Sequence, residues 1–160
     1  MSSPKSTDTS KSTGPAKPSM FFKLTPISGE TATNEILTYT EDFHPKYKIS
    51  QEFKDNLLQN LANRPTELYD EQGRLNKDAT CRGFLNVPDC DTQEGVDIIR
   101  QVIGKGGCYF HMTTDNTGID FIWHDRAQNK FFFWGTKYSL IRAMKIISRR
   151  LENKMTPNSV

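Results

Sequence analysis

The stretch Val102-Ile103-Gly104-Lys105-Gly106-Gly107 decides how the fold of this chain is read. An apolar stripe at helical spacing, Val96, Ile98, Ile99, Val102 and Ile103, runs straight into three glycines set around one lysine. Glycine at a helix end supplies the left-handed backbone needed to leave it, so the helix is expected to stop there and the chain to turn. Residues 108–115 then predict a second short helix, and Asn116-Thr117-Gly118 a turn after it. Residues 119–124 and 131–134 predict two strands joined by a polar connector of hairpin length. Leu140, Ala143, Met144, Ile147 and Leu151 mark a closing amphipathic helix, with Lys145, Arg149 and Arg150 on its other faces. Upstream, Gly83-Phe84-Leu85-Asn86-Val87 has strand character and ends at Pro88, which cannot donate to a ladder. From Arg82 onward the expected order is strand, helix, glycine loop, helix, strand, strand, helix.

In that setting the segment from Val102 to Gly107 resembles the signature of the KH family, in which a GxxG loop joins two helices. Phe110 stands where the family has an apolar residue three places after the loop, and Thr117-Gly118 where it has Thr-Gly before its second strand. Val87-Pro88 resembles the entry into the family's first helix, and Leu140, Ala143, Ile146 and Ile147 the apolar positions of its last. The resemblance spans residues 81–152. It implies an α+β fold of type I order, βααββα, with a three-stranded sheet covered on one face by helices. It also implies a function: binding of single-stranded RNA or DNA. Glycines let about four nucleotides of backbone approach, helix-start N–H groups and Lys105 meet phosphate, and bases lie across an adjacent apolar groove. The residues so implicated are Gly104, Lys105, Gly106 and Gly107 in the loop, and Val102, Ile103, Phe110, Ile119 and Phe121 in the groove. Arg126, in the connector between the strands, is a further cation. More faintly, Phe121-Ile122-Trp123-His124-Asp125-Arg126 with Phe132-Phe133-Trp134-Gly135 is similar to small proteins of large double-stranded DNA viruses.

The rest of the chain reads differently. Residues 1–19 are rich in Ser, Thr, Lys and Pro and have nothing apolar to set against the entropy of ordering, so a disordered basic tail is expected. Residues 20–80 form an N-terminal extension. Within it, residues 20–24 and 35–39 suggest two short strands or a loose hairpin. Ser50 is an N-cap candidate for one amphipathic helix carrying Phe53, Leu57, Leu58 and Leu61, which Pro65 ends. Asp70-Glu71-Gln72-Gly73 is a turn signal, and residues 153–160 are expected to be a flexible C-terminus. The net charge of +2 conceals a polarity: residues 20–99 hold eight Lys and Arg against fourteen Asp and Glu, whereas residues 100–160 hold ten against four. A basic excess in a segment this small attracts polyanions by counterion release.

Ile119, Phe121 and Trp123 would share one strand face and Asp120, Ile122 and His124 the other, giving apolar residues on both. The uncovered side is therefore expected to meet the N-terminal extension or a second copy of the chain. Trp123, Phe131, Phe132, Phe133 and Trp134 read as core or interface residues rather than base-stacking platforms. Cysteines 81, 90 and 108 fit neither a disulfide framework nor a paired zinc motif, so reduced thiols in an intracellular protein, cytoplasmic or nuclear, or in a virion, are expected. Cys108 and His111 are spaced as half a metal site, with Cys90 and His124 as possible complements, but the second half lacks a recognised spacing; no metal or cofactor is expected. A Cys108–His124 nucleophilic pair is disfavoured by the aromatic surroundings of the cysteine. There is no phosphate-loop, zinc-protease or nucleophile-elbow motif, and no apolar run long enough to span a membrane. The expected protein is a binder, not an enzyme. The alternative is a virion packaging protein that dimerises through its aromatic sheet face.

Overall fold

A computed structural model describes residues 22–41 and 49–155. The tail expected over residues 1–19 lies outside the described residues. The order is β1 (Thr25–Ile27), α1 (Gly29–Glu41), α2 (Gln51–Ala62), β2 (Thr80–Asn86), α3 (Gln93–Ile103), a 3₁₀ turn (Lys105–Gly107), α4 (Cys108–Thr117), β3 (Phe121–Asp125), β4 (Lys130–Thr136) and α5 (Lys137–Met155). The fold is α+β, with one antiparallel sheet in the order β1-β2-β4-β3. The sheet has four strands, not three, because β1 adds itself to the free edge of β2.

Alternation along β2, β3 and β4 sends side chains to two faces, and each face has its own core. On one, Cys81, Ile122, Phe131 and Phe133 pack under Ile99 and Val102 of α3 and Leu140, Ala143, Met144 and Ile147 of α5. Close approach of α5 to β2 needs Gly83, where a Cβ would sit 2.8 Å from Met144 Sδ. On the other, Phe121 and Trp134 pack with Ile27, Ala32, Ile36, Leu57 and Leu61. Helices therefore cover both faces, not one. The N-terminal extension of the same chain closes the aromatic side, through two helices where one was expected.

Residues 35–39 are helical, not extended. Ser28 Oγ accepts from Thr31 N–H at the start of α1, and Ala32, Ile36 and Tyr39 then face the sheet at helical spacing. Ser50 caps α2 as expected, accepting from Phe53 N–H at 3.1 Å. The turn at Asp70 closes with Gly73 N–H on the Asp70 carbonyl. At the other end α5 runs to Met155, so residues 153–155 are ordered; residues 156–160 lie outside the described residues.

Two polar clamps fasten the N-terminal helices to the sheet. Arg64, just past α2, donates to both Asp120 carboxylate oxygens, at 2.8 and 2.7 Å, and to Thr80 Oγ1 at 3.1 Å. Glu35 of α1 accepts from Arg82 of β2 and, at 2.8 Å, from the Trp134 indole N–H. Among the described residues no helix is long and apolar enough to cross a membrane.

Candidate nucleic-acid interface

The glycine loop stands at the outer end of α3. Gly104 leaves the helix at φ +88°, and Gly106 and Gly107 follow at φ +64° and +78°, a left-handed region that L side chains rarely adopt. Gly104 is also sterically required. A Cβ there would lie 2.5 Å from Tyr109 Cδ2, 2.7 Å from Cys108 Sγ and 2.9 Å from the Tyr109 amide nitrogen. At Gly106 a Cβ would meet nothing within 4 Å. Lys105 and Gly106 are exposed, and no side chain caps the start of α4. The backbone is bent tightly and left open to solvent on the side a ligand would approach.

Two arginines of α5 fix the helices that the loop joins. Arg142 donates to the Asn116 carbonyl at the end of α4. Arg150 donates to the Gln101 carbonyl near the end of α3, and its guanidinium lies 3.6 Å from the centroid of the Tyr109 ring. Arg150, expected only on an outer face of the closing helix, thus has the end of a neighbouring helix as its partner.

The expected groove is only partly assembled. Val102 and Ile119 are 0% and 2% exposed and belong to the core beneath α3 and α5, so neither can touch a ligand from where it lies. Phe121 is buried on the opposite face, against α2. Ile119 and Phe121 do not share a face, because the strand starts only at Phe121: Thr117 Oγ1 accepts the Ile119 amide and turns the chain just before it. Ile103 and Phe110 remain half-buried at the surface of the α3 and α4 layer. Phe110 meets Phe131 edge-on at 5.1 Å, and His124 meets the same ring at 5.3 Å. Arg126 is exposed on the β3–β4 turn. That turn bonds back to Val87 and Cys90 through Asn129, before the start of α3. An 11-residue helix separates this end from the loop, about 16 Å at 1.5 Å per residue. Arg126 is not part of the loop.

His124 was not among the expected interface residues. Its Nε2 lies 3.5 Å from Cys90 Sγ, so the imidazole pairs with Cys90, not with Cys108. Burial, reinforced by Arg126 and opposed by Asp125, lowers its pKa to about 4. The ring is neutral at physiological pH. Its alternation with Ile122 toward the α3 face was the only sequence signal for this position. Among the described residues no group of three or more His, Cys, Asp or Glu is placed to hold a metal ion, and all three cysteines are free.

The charge polarity survives folding. Among the described residues, ion pairs join Arg64 to Asp120, Arg74 to Asp70 and Arg82 to Glu35. None of the ten Lys and Arg of residues 100–160 is paired with a carboxylate there. Among the described residues, no carboxylate of the acidic N-terminal segment forms an ion pair with them. No family model, no curated protein and no solved structure matches this chain.

Proposed function

We propose that this chain is a non-catalytic single-stranded nucleic-acid-binding protein on a KH-like scaffold, with the loop Gly104-Lys105-Gly106-Gly107 as its phosphate contact. The observation that carries the reading is the loop itself: three glycines at positive φ hold an exposed Lys105–Gly106 backbone at a helix–helix junction, and Lys105 has no carboxylate within ion-pair distance among the described residues. The succession from Thr80 to Met155, strand, helix, loop, helix, strand, strand, helix, supports the KH-like reading. So does the antiparallel arrangement β2-β4-β3 within the sheet. Backbone amides and Lys105 would meet phosphate, positioning a strand without reading its sequence. Ile103 and Phe110 are the apolar residues left to meet bases. Self-association through the aromatic face would have less surface to use, since Phe121 and Trp134 lie beneath α1 and α2 while Phe84 stays exposed.

The test is Lys105→Asp with Gly106→Asp. Both positions are exposed, a side chain at Gly106 enters open space, and Asp is among the residues that tolerate the left-handed region best, so the fold should survive. Binding of a labelled single-stranded oligonucleotide should fall at least tenfold, with a shallower salt dependence, while the urea midpoint stays within experimental scatter. Unchanged affinity in the folded variant defeats the proposal.

A further inference from the structure

One concavity lies away from the loop. It is a groove of about 640 Å³ on the opposite face of the sheet, where α1 and α2 stop short of covering β2 and β4. Its floor carries Phe84 and Phe132, whose centroids are 6.0 Å apart, and Phe84 is 39% exposed although it sits within a strand. One rim is α1, with Thr38 and Tyr39, and the other is the approach to β1, with Lys23 and Thr25. The volume falls within the range of about 300–1,000 Å³ that small-molecule sites occupy.

Charge selects the occupant. Among the described residues, Glu35 is the one carboxylate lining the groove, and it is matched by Arg82 and the Trp134 indole. Lys23 and Lys130 have no carboxylate within ion-pair distance among the described residues, so the described lining carries an excess of positive charge. Lys130 Nζ lies over the Phe84 ring, 4.9 Å from its centroid, so a planar group that stacks on that face takes the ammonium's place and leaves it beside the group's anionic substituent. A planar group stacked on Phe84 would carry an anionic substituent to these lysines, and at the end of the groove the Gln128 side-chain carbonyl offers an acceptor to its edge while the amide nitrogen donates to Asp125. A purely aliphatic anion would leave the rings unused, and residues 1–19, with three Lys and one Asp, would bring charge of the same sign. From this combination we infer that the groove binds a nucleotide unit, base on Phe84 and Phe132, phosphate at Lys23 and Lys130. The inference is independent of the glycine loop, which lies on the other side of the sheet.

The experiment titrates the full chain with adenosine 5′-monophosphate, adenosine and a five-residue single-stranded oligonucleotide, followed by calorimetry and amide chemical shifts. Adenosine monophosphate should shift Phe84 and Lys130 amides, and adenosine should bind several-fold more weakly. Phe84→Leu, which keeps apolar area but removes the ring, should weaken binding of the monophosphate about tenfold, as loss of one base–aromatic stack does. Lys23→Gln with Lys130→Gln should weaken it further and flatten its salt dependence, whereas Lys105→Asp with Gly106→Asp should leave the shifts of the Phe84 and Lys130 amides caused by the monophosphate unchanged. If the unit belongs to a strand, Phe84→Leu weakens the oligonucleotide as well; if it is a free nucleotide, the oligonucleotide is indifferent to that change. Adenosine monophosphate that binds Phe84→Leu and the double lysine variant as well as it binds the original chain overturns the inference. So does displacement by an acidic peptide combined with no response to the nucleotide.

Discussion

Arg64→Met removes the cation from the clamp that joins the end of α2 to the entrance of β3. The native guanidinium supplies three hydrogen bonds, two of them to Asp120, whose side chain is only 3% exposed. Burial pushes the Asp120 carboxyl up, and Arg64 pulls against it. Without Arg64 the carboxylate stays buried and uncompensated, a situation that costs about 3–5 kcal/mol. For an ordered body of this size that lowers Tm by about 10–20 °C. The sign of the pH effect follows from the same balance. In the variant only burial acts, so the folded carboxyl holds its proton above the pH at which the unfolded one releases it. Stability then falls as pH rises through that window, and the deficit relative to the native chain is larger at pH 7 than at pH 4. Urea unfolding followed by tryptophan fluorescence is a suitable assay, because the chain's two tryptophans, Trp123 and Trp134, both lie on the sheet face that α1 and α2 cover. Adding Asp120→Asn should restore at least half of the loss. A single variant within about 1 kcal/mol of the native chain, or a double variant no better than the single, would refute the clamp as the tie between the two parts.

Three further outcomes follow from the geometry. Gly104→Ala should destabilise the domain by more than Gly106→Ala, by about 1–3 kcal/mol, because its Cβ meets the Tyr109 backbone whereas the Gly106 position opens to solvent; equal urea midpoints would contradict this. His124→Phe should flatten the rise of stability with pH between about 4 and 6.5, since the imidazole, lowered to about 4 mainly by burial, takes up its proton more readily when unfolded; parallel pH profiles of the two chains would count against it. Leu61→Ala, at a side chain 1% exposed, should cost about 2–5 kcal/mol and unfold the entire protein in one transition, and a separate early loss of α1 and α2 would show that the two sheet faces melt independently.

What the sequence disclosed depended on how local the signal was. The stripe ending at Ile103, the glycines after it and the amphipathic run to Leu151 each act within one or two turns, and the succession of elements from Thr80 onward follows from them. Helix α1 was hidden because Ile36-Leu37-Thr38-Tyr39-Thr40 is rich in strand-favouring residues. Packing of Ala32, Ile36 and Tyr39 onto the aromatic face overrides that preference. The expected groove extended the strand too far upstream. Alternation counted from Ile119 assigns it to the face of Phe121, but the strand begins only at Phe121, after the turn at Thr117, and Asp120 is claimed by Arg64, 56 residues away in sequence. No local pattern marks such a partner. The cavity over Phe84 was illegible for the same reason, since it is bounded by where α1 happens to end.

The loop, the clamp and the groove depend on one another through the sheet. The backbone at Gly104–Gly107 can serve a ligand only if it is already bent, because ordering a free loop on binding would consume the gain from a few phosphate contacts. Arg142 and Arg150 hold the carbonyl ends of α4 and α3 against α5, and α5 is anchored on β2 and β4 through Leu140, Ala143, Met144 and Ile147. Those same two strands turn Arg82, Phe84, Lys130 and Phe132 to the other side, where α1 is fixed by Glu35. A strain that loosened β2 from β4 would therefore reach both surfaces at once. Changes confined to Lys105 and Gly106, or to Phe84 and Lys130, remain local because each sits at the exposed end of a buried frame. That separation is what allows the two surfaces to be tested one at a time in the intact chain.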